Sequence, residues 1–243
     1  LISIGLCGAN LEMDIAMNKV IERADLPVVA INLLTRNRTE LTVGAIHQCL
    51  RHLKYDGELK WFISDNGSST AHLATLGEKI PSSYFLGGIS EPGTIGLCWN
   101  RGIKEIFKDT DYYIRLEDDM WLKADLDITR YVKMMMSYPE IGMVRLGQMV
   151  IDLESFSEKF KIDTHIGFEE DVLLRLNRQN QYAFSGHPAL IHKRFHDVYG
   201  IYSERTMSAG DLEVSMDNQI KMRNSGPGIY FPWDLGRFGT WGA

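Results

Sequence analysis

Residues 28–34, Val-Val-Ala-Ile-Asn-Leu-Leu, form a nearly continuous apolar and β-branched run broken by one polar residue, Asn32. A run without alternation has no face to give to water. It predicts a strand covered on both sides, as in a parallel sheet between helices. The run exits into the loop Thr35-Arg36-Asn37-Arg38. Behind it Val43, Ile46, Leu50 and Leu53 recur at helical spacing, and Thr39 is of a type that caps helices. Leu59 to Ser64 then repeats the strand pattern and exits into Asp65-Asn66-Gly67-Ser68. The result is a strand–helix–strand unit with polar residues at both strand exits, where open α/β sheets bind ligands.

The pattern continues with a short helix from Thr70 to Leu76, a strand at Tyr84–Leu86 and a turn-rich stretch from Gly87 to Gly96. A helix from Leu97 to Phe107 follows, its core side carried by Ile103, Ile106 and Phe107. The segment from Asp111 to Trp121 is an aromatic and aliphatic strand that ends in Glu117-Asp118-Asp119. Three adjacent carboxylates repel one another, so a fold that gathers them at a strand end supplies a cation or a ligand's positive charge. The other reading of such a run is a solvated acidic turn.

Downstream, a helix is expected over Asp127–Ser137, stopped by Tyr138-Pro139, with Met134-Met135-Met136 as adaptable packing. A strand is expected at Ile141–Leu146. Asp152 to Asn180 is charged and weakly periodic, and reads as a variable insertion or acceptor-side flap. Ala189-Leu190-Ile191 reads as a strand, Lys193–Val198 and Leu212–Arg223 as helices, and Ile229-Tyr230-Phe231 as a last strand. The tail is rich in glycine and tryptophan, and no tandem repeat is visible.

A chain of 243 residues is long enough for one large domain. The formal charge of -6 disfavours broad nucleic-acid binding and asks that an acidic ligand be met by a metal or by focused arginines. Cys7, Cys49 and Cys98 lie far apart and read as reduced core residues. No apolar run approaches the roughly 20 residues of a membrane span, and the first residues lack a basic leader. The cytoplasm is the expected compartment, and the absence of an initiating Met leaves a trimmed signal or anchor open.

Taken in order, the segments over roughly residues 28–232 resemble the GT-A nucleotide-sugar glycosyltransferases, in particular the family 2-like group. Thr35-Arg36-Asn37-Arg38 is similar to that family's first loop, with Leu34 where proline is usual and Arg36 where an aromatic is usual. Ser64-Asp65-Asn66-Gly67-Ser68 resembles its Asp-Asn-Gly-Ser turn more closely. Gly96-Leu97-Cys98-Trp99-Asn100-Arg101-Gly102 looks like the helix before its metal strand, and Glu117-Asp118-Asp119 stands at its DxD position. Ser185-Gly186, Ile191 to Phe195 and Val198-Tyr199-Gly200 match a later segment, and Gly210-Asp211-Leu212-Glu213 matches the acidic opening of the acceptor-side helix less well.

The resemblance implies an α/β GT-A (Rossmann-like) fold with a mixed, mostly parallel central sheet flanked by helices. An N-terminal extension (1–26) precedes a domain (27–232) made of a nucleotide-binding half (27–122) and an acceptor-side half (123–232), and a tail or lid (233–243) follows. It further implies transfer of a sugar, UDP-linked, to an acceptor hydroxyl with inversion. Mn²⁺ or Mg²⁺ would be held directly by Asp119, with Glu117 through water or on the sugar-ribose side and Asp118 on the donor sugar. Asp65 would accept from the N–H of uracil, or form an Asx turn with Gly67, or both. Thr35 and Asn37 belong to the nucleotide loop. Arg38 either approaches the nucleotide or is a solvated loop arginine. Asn100 either caps local backbone or orients the donor.

Asp211 is the expected general base for the acceptor hydroxyl and Glu213 the substitute, although both also suit a helix N-terminus. Relatives often complete the metal site with a histidine near the end of the domain. Here the last histidine is His196, which leaves Asp234, water, His187 or His192 as alternatives. The expected acceptor is a glycan, protein or small molecule, ahead of a hydroxymethylated nucleobase. Trp121, Trp233 and Trp241 offer flat faces for stacking. Two other classes compete. A sugar nucleotidyltransferase would want a glycine-rich phosphate loop, and Leu33–Arg38 contains no glycine. A noncatalytic nucleotide-sugar or glycan-binding domain would keep the fold without the chemistry.

Overall fold

The computed structural model describes residues 25–122, 124–147, 161–169, 171–180, 183–205 and 208–232, with the backbone of 238–240. The expected N-terminal extension, apart from Asp25 and Leu26, lies outside the described residues, as do Trp233, Asp234 and Trp241.

Among the described residues nine strands form one sheet. In chain order they are β1 (Val29–Thr35), β3 (Leu59–Asp65), β4 (Phe85–Ser90), β5 (Tyr112–Glu117), β8 (Ile141–Arg145), β9 (Ile162–Phe168), β10 (Asp171–Leu176), β11 (Ala189–His192) and β12 (Gly228–Pro232). Their spatial order is β4-β3-β1-β5-β11-β8-β12-β10-β9. The block β4-β3-β1-β5 is parallel throughout and β12 runs parallel to β8. Antiparallel pairings of β11 with β5 and β8 join the two halves. Short strands pair beside it: β2 (Leu53–Lys54) with β7 (Leu126–Asp127), and β6 (Met120–Leu122) with β13 (Phe238–Thr240).

Helices cover both faces: α1 (Thr39–His52), α2 (Thr70–Lys79), α3 (Ile95–Ile106), α4 (Thr129–Ser137), α5 (Lys193–Tyr199) and α6 (Ala209–Lys221). The core divides accordingly. On β1, Val29, Ile31 and Leu33 pack with Ile46, Ile114 and Tyr131, whereas Ala30 faces Trp99, Ile103, Tyr113 and Phe195. This is the two-sided burial that the run 28–34 predicts. Met134 and Met135 are core residues, and Cys49 and Cys98 are free, buried thiols. Among the described residues no helix is long and apolar enough to cross a membrane.

The structure corrects several expectations. Thr39 is the first residue of α1 and not its cap. Arg38 holds the cap position with no side-chain capping bond, and the Thr39 hydroxyl goes instead to His72 Nδ1 at 2.8 Å. The buried face of α1 is Thr42, Ala45, Ile46 and Cys49, while Leu50 is 40% exposed. Of the stretch expected to be turn-rich, Gly87 to Ser90 belong to β4, and the loop is confined to residues 91–94 before α3. The described part of the supposed insertion is an antiparallel hairpin, β9–β10, that finishes the sheet.

Candidate active site

Parallel register brings the polar strand exits together. Thr35 at the end of β1 lies opposite Asp65 on β3, and Leu34 lies opposite Glu117 on β5. The carboxyl ends of three adjoining strands thus deliver Thr35, Asp65 and Glu117-Asp118-Asp119 to one rim. A cavity of about 340 Å³ opens there, lined by Leu34, Thr35, Arg36, Arg38, Asn66 and Glu117 and closed from across by Gly93–Ile95 and Ala209. A cavity of about 370 Å³ lies elsewhere, around Leu53–Gly57 and Leu59, by the start of β3 and away from the acidic triplet. The strand-end cavity is the candidate site, because it gathers the hydrogen-bonding and charged groups.

The acidic run does not lie open in water. Asp118 is fully buried, and burial pushes its carboxyl up, against Arg38 and a Thr35 hydrogen bond that pull it down. Burial likewise raises Glu117, partly offset by Arg115. Arg38 spans the last two acids: its Nε donates to Asp118 Oδ2 at 3.2 Å, Nη2 pairs with Asp118 Oδ1, and Nη1 donates to Asp119 Oδ2 at 3.0 Å. Burial works to lower the Arg38 guanidinium, but Asp118 and Asp119 together hold it above its ordinary value. Asp119 Oδ1 is buried with no hydrogen-bond partner. Two adjacent carboxylates with an unsatisfied oxygen are hard donors that fit Mn²⁺ or Mg²⁺. Among the described residues no third acid, histidine or cysteine joins them in a metal-binding cluster.

Asp65 is 2% exposed and builds the Asx turn. It accepts from the Ser68 amide at 2.7 Å, from the Ser90 hydroxyl at 2.6 Å and from the Ser68 hydroxyl. Gly67 holds φ +70 in that turn. Asn37 ties the first loop to it, donating to Ser68 Oγ (2.7 Å) and accepting from Ser69 N–H (2.8 Å). Asp65 borders an apolar cleft of about 250 Å³ with Leu73, Leu76, Phe85 and Ile89, whereas its neighbour Asn66 lines the strand-end cavity.

Asn100 is fully buried and spends both ends of its amide on Tyr202, donating to the carbonyl at 2.8 Å and accepting from the N–H at 3.0 Å. The backbone it holds lies 102 positions away in the chain. Asp211 is exposed in the first turn of α6, where Ser208 Oγ donates to its carboxylate at 2.7 Å and caps its amide at 3.1 Å. Glu213 is anchored by the Gly186 N–H. His192 sits opposite Tyr112, at the far end of β5 from the acids, which removes it as a metal ligand. His187 bonds Ser185 Oγ, and burial together with Arg145 and Arg115 lowers it to about 4.

Two residues of the site were missed in the sequence. Arg115, with no exposure, donates to Glu117 Oε1 at 2.8 Å and to the Ser185 carbonyl at 3.3 Å, its guanidinium 4.7 Å from the Trp99 ring. The available signal was an arginine two residues before Glu117, hence on the same face of a strand. His72 is buried behind Thr35, with Nε2 at 3.1 Å from the Thr35 hydroxyl. Nothing in the sequence ties His72 to β1.

No protein-family profile and no curated protein sequence matches the chain. Solved structures do. A fragment of S. aureus TarS aligns at TM-score 0.57 and 11% identity over 86% of this chain and 59% of its own. A mannosyltransferase from Pyrobaculum calidifontis, in complex with GDP-Man and Mn²⁺, aligns at TM-score 0.57 and 13% identity over 86% and 58%. GalNAc-T7, with UDP, GalNAc and Mn²⁺, aligns at TM-score 0.60 and 14% identity over 89% and 44%. The chain therefore spans under two thirds of the length of each. At such low identity the likeness speaks to architecture, and with the sheet order and helical layers it identifies the fold: the chain has the GT-A fold of the nucleotide-sugar glycosyltransferases.

Proposed function

We propose that the protein transfers a sugar from a nucleotide-sugar, UDP-linked, to an acceptor hydroxyl with inversion at the anomeric carbon. The observation that carries this reading is the convergence of Thr35, Asp65 and the acidic triplet on one rim, at the ends of three adjoining strands. Residues 27–122 act as the nucleotide half and 123–232 as the acceptor half. Asp65, rigid in its turn, keeps lone-pair capacity to accept the N–H of a uracil ring, and Thr35 and Asn37 shape the loop beside it.

Asp119 would hold Mn²⁺ or Mg²⁺ directly, with Asp118 beside it and Glu117, drawn toward Arg115, in the outer sphere or on the donor. When bound, the cation neutralises charge that develops on the departing diphosphate. Asp211 takes the acceptor's proton as its oxygen attacks, with Glu213 the alternative base. The acceptor is a glycan, protein or small molecule. A net charge of -6 ranks a modified nucleic acid below these.

The test incubates the protein with UDP- and GDP-sugars and Mn²⁺ and follows nucleotide release. Wild type is expected to hydrolyse one donor slowly, Asp119→Asn to lose Mn²⁺-dependent donor binding, and Asp211→Ala to keep donor binding while transfer falls by about 10²–10⁴-fold. Donor binding without release or transfer, unchanged by Asp211→Ala, would instead identify a noncatalytic binding domain.

A further inference from the structure

Arg38 is built into the acidic rim in a way that its place in the chain does not require. It stands at the cap position of α1, where short polar side chains usually bond the free amides, yet it makes no such bond. Its side chain reaches across to the turn after β5 and grips Asp118 and Asp119 through three nitrogens. Such a fork on carboxylates is the strong, geometrically specific form of ion pair. The Arg38 side chain is 48% exposed where that of Asp118 is 1% exposed, and Arg38 also lines the strand-end cavity. One side of the guanidinium thus meets the buried acids and the other faces the space assigned to the donor.

Charge sharpens the point. Arg115 balances Glu117, and Arg38 balances one of the remaining two carboxylates, which leaves the cluster a single negative charge. Asp119 Oδ1 still lacks a hydrogen-bond partner, so the arginine supplies charge without satisfying every oxygen. Asp119 Oδ1 is open, but Asp119 Oδ2 and both oxygens of Asp118 are held by the guanidinium, so a divalent ion that takes more than that one oxygen would have to displace it.

We propose that Arg38 is the resident counter-ion of Asp118 and Asp119 in the ligand-free protein, that a divalent cation gains these carboxylates by displacing it, and that the freed guanidinium then pairs with the diphosphate of the donor. The proposal rests on the metal-dependent reading above. It has a thermodynamic signature. A cation alone competes with a tethered positive charge and binds weakly. A nucleotide diphosphate draws that charge away, so each ligand raises the other's affinity, reciprocally.

The experiment titrates Mn²⁺ alone, without nucleotide, and follows the free aqueous ion by electron paramagnetic resonance. Arg38→Gln is expected to bind Mn²⁺ about tenfold more tightly than wild type, the scale of removing one charge near a divalent ion in a partly solvated site. Arg38→Lys keeps the charge and should stay near wild type. Adding UDP should narrow the gap between wild type and Arg38→Gln.

Equal or weaker Mn²⁺ binding by Arg38→Gln, in a protein that melts as wild type does, overturns the proposal while leaving the metal site standing if Asp119→Asn abolishes binding. Failure of both wild type and Arg38→Gln to bind Mn²⁺ overturns the metal reading, and this proposal with it. A second measurement on the unaltered protein covers misfolding of the variant. The Arg38 Nε–H resonance should lose its hydrogen-bonded shift at Mg²⁺ saturation, and persistence of that shift would refute displacement.

Discussion

The Arg115 guanidinium lies entirely out of water between aromatic rings, 4.7 Å from Trp99, 5.5 Å from Tyr202 and 5.7 Å from Phe184. A cation in such a place is tolerated because it is paired, and Glu117 is the partner at 2.8 Å. Removing one member leaves the other charge buried alone. Arg115→Met should therefore cost about 3–5 kcal/mol in urea unfolding. The double variant with Glu117→Gln should recover part of that loss, and strict additivity of the two changes would show that the pair is not coupled. At this scale the acids, Asp65 and the loop residues were legible, because chemistry-bearing types sit at strand exits. The partners that arrange them were not: His72 meets Thr35 only through the packing of α2, and the Asn100–Tyr202 bridge spans 102 positions.

Among the elements, α3 packs tightly on the sheet at Gly102. A Cβ there would stand 2.1 Å from Ser64 Oγ and 2.8 Å from the Asn32 amide, in the middle of the Ser64–Asn32 hydrogen bond. Gly102→Ala should cost about 1–3 kcal/mol by overpacking, read as a lower denaturation midpoint at an unchanged slope. Elements buried on both faces announced themselves in the sequence, as β1, β3 and β5 did. Edge elements did so less: the sequence predicts a strand at the start of β4 and none at β9. β9 exposes most of its residues, so its pattern lacks a buried face to repeat. Gly87 and Gly88 read as a turn, but in β4 they lie where a Cβ would press to 3.2 Å on the Phe62 ring and on the Ile63 carbonyl. The absence of a side chain there serves close packing beside a central strand.

Across the whole molecule, His196 ties β5 to α5. Its Nδ1–H donates to the Gly200 carbonyl at 2.9 Å, and in the neutral ring Nε2 accepts from the Tyr113 hydroxyl at 2.7 Å. Burial lowers it to about 4 from an ordinary 6.5. Between these values the unfolded chain binds more protons than the native one, so stability is full above 6.5, falls as pH drops and levels off below about 4. The loss from His196 is roughly 3 kcal/mol at most. His187 and His192, also near 4, add to the slope. His196→Gln should flatten the fall between pH 6.5 and 4 in paired urea titrations of variant and wild type, and an unchanged slope would place the titration elsewhere.

The seam between the two halves carries a kinetic cost. β5 takes β11 as its neighbour, and β11 follows in the chain about 70 residues later, so during synthesis the outer edge of β5 emerges long before the strand that covers it. Until then β5 presents a bare hydrogen-bonding edge, a template for pairing with another chain. Insertion of β11 is thus the step at which the nascent chain escapes aggregation, and slowing it should lower the yield of folded protein while leaving the finished molecule's stability unchanged.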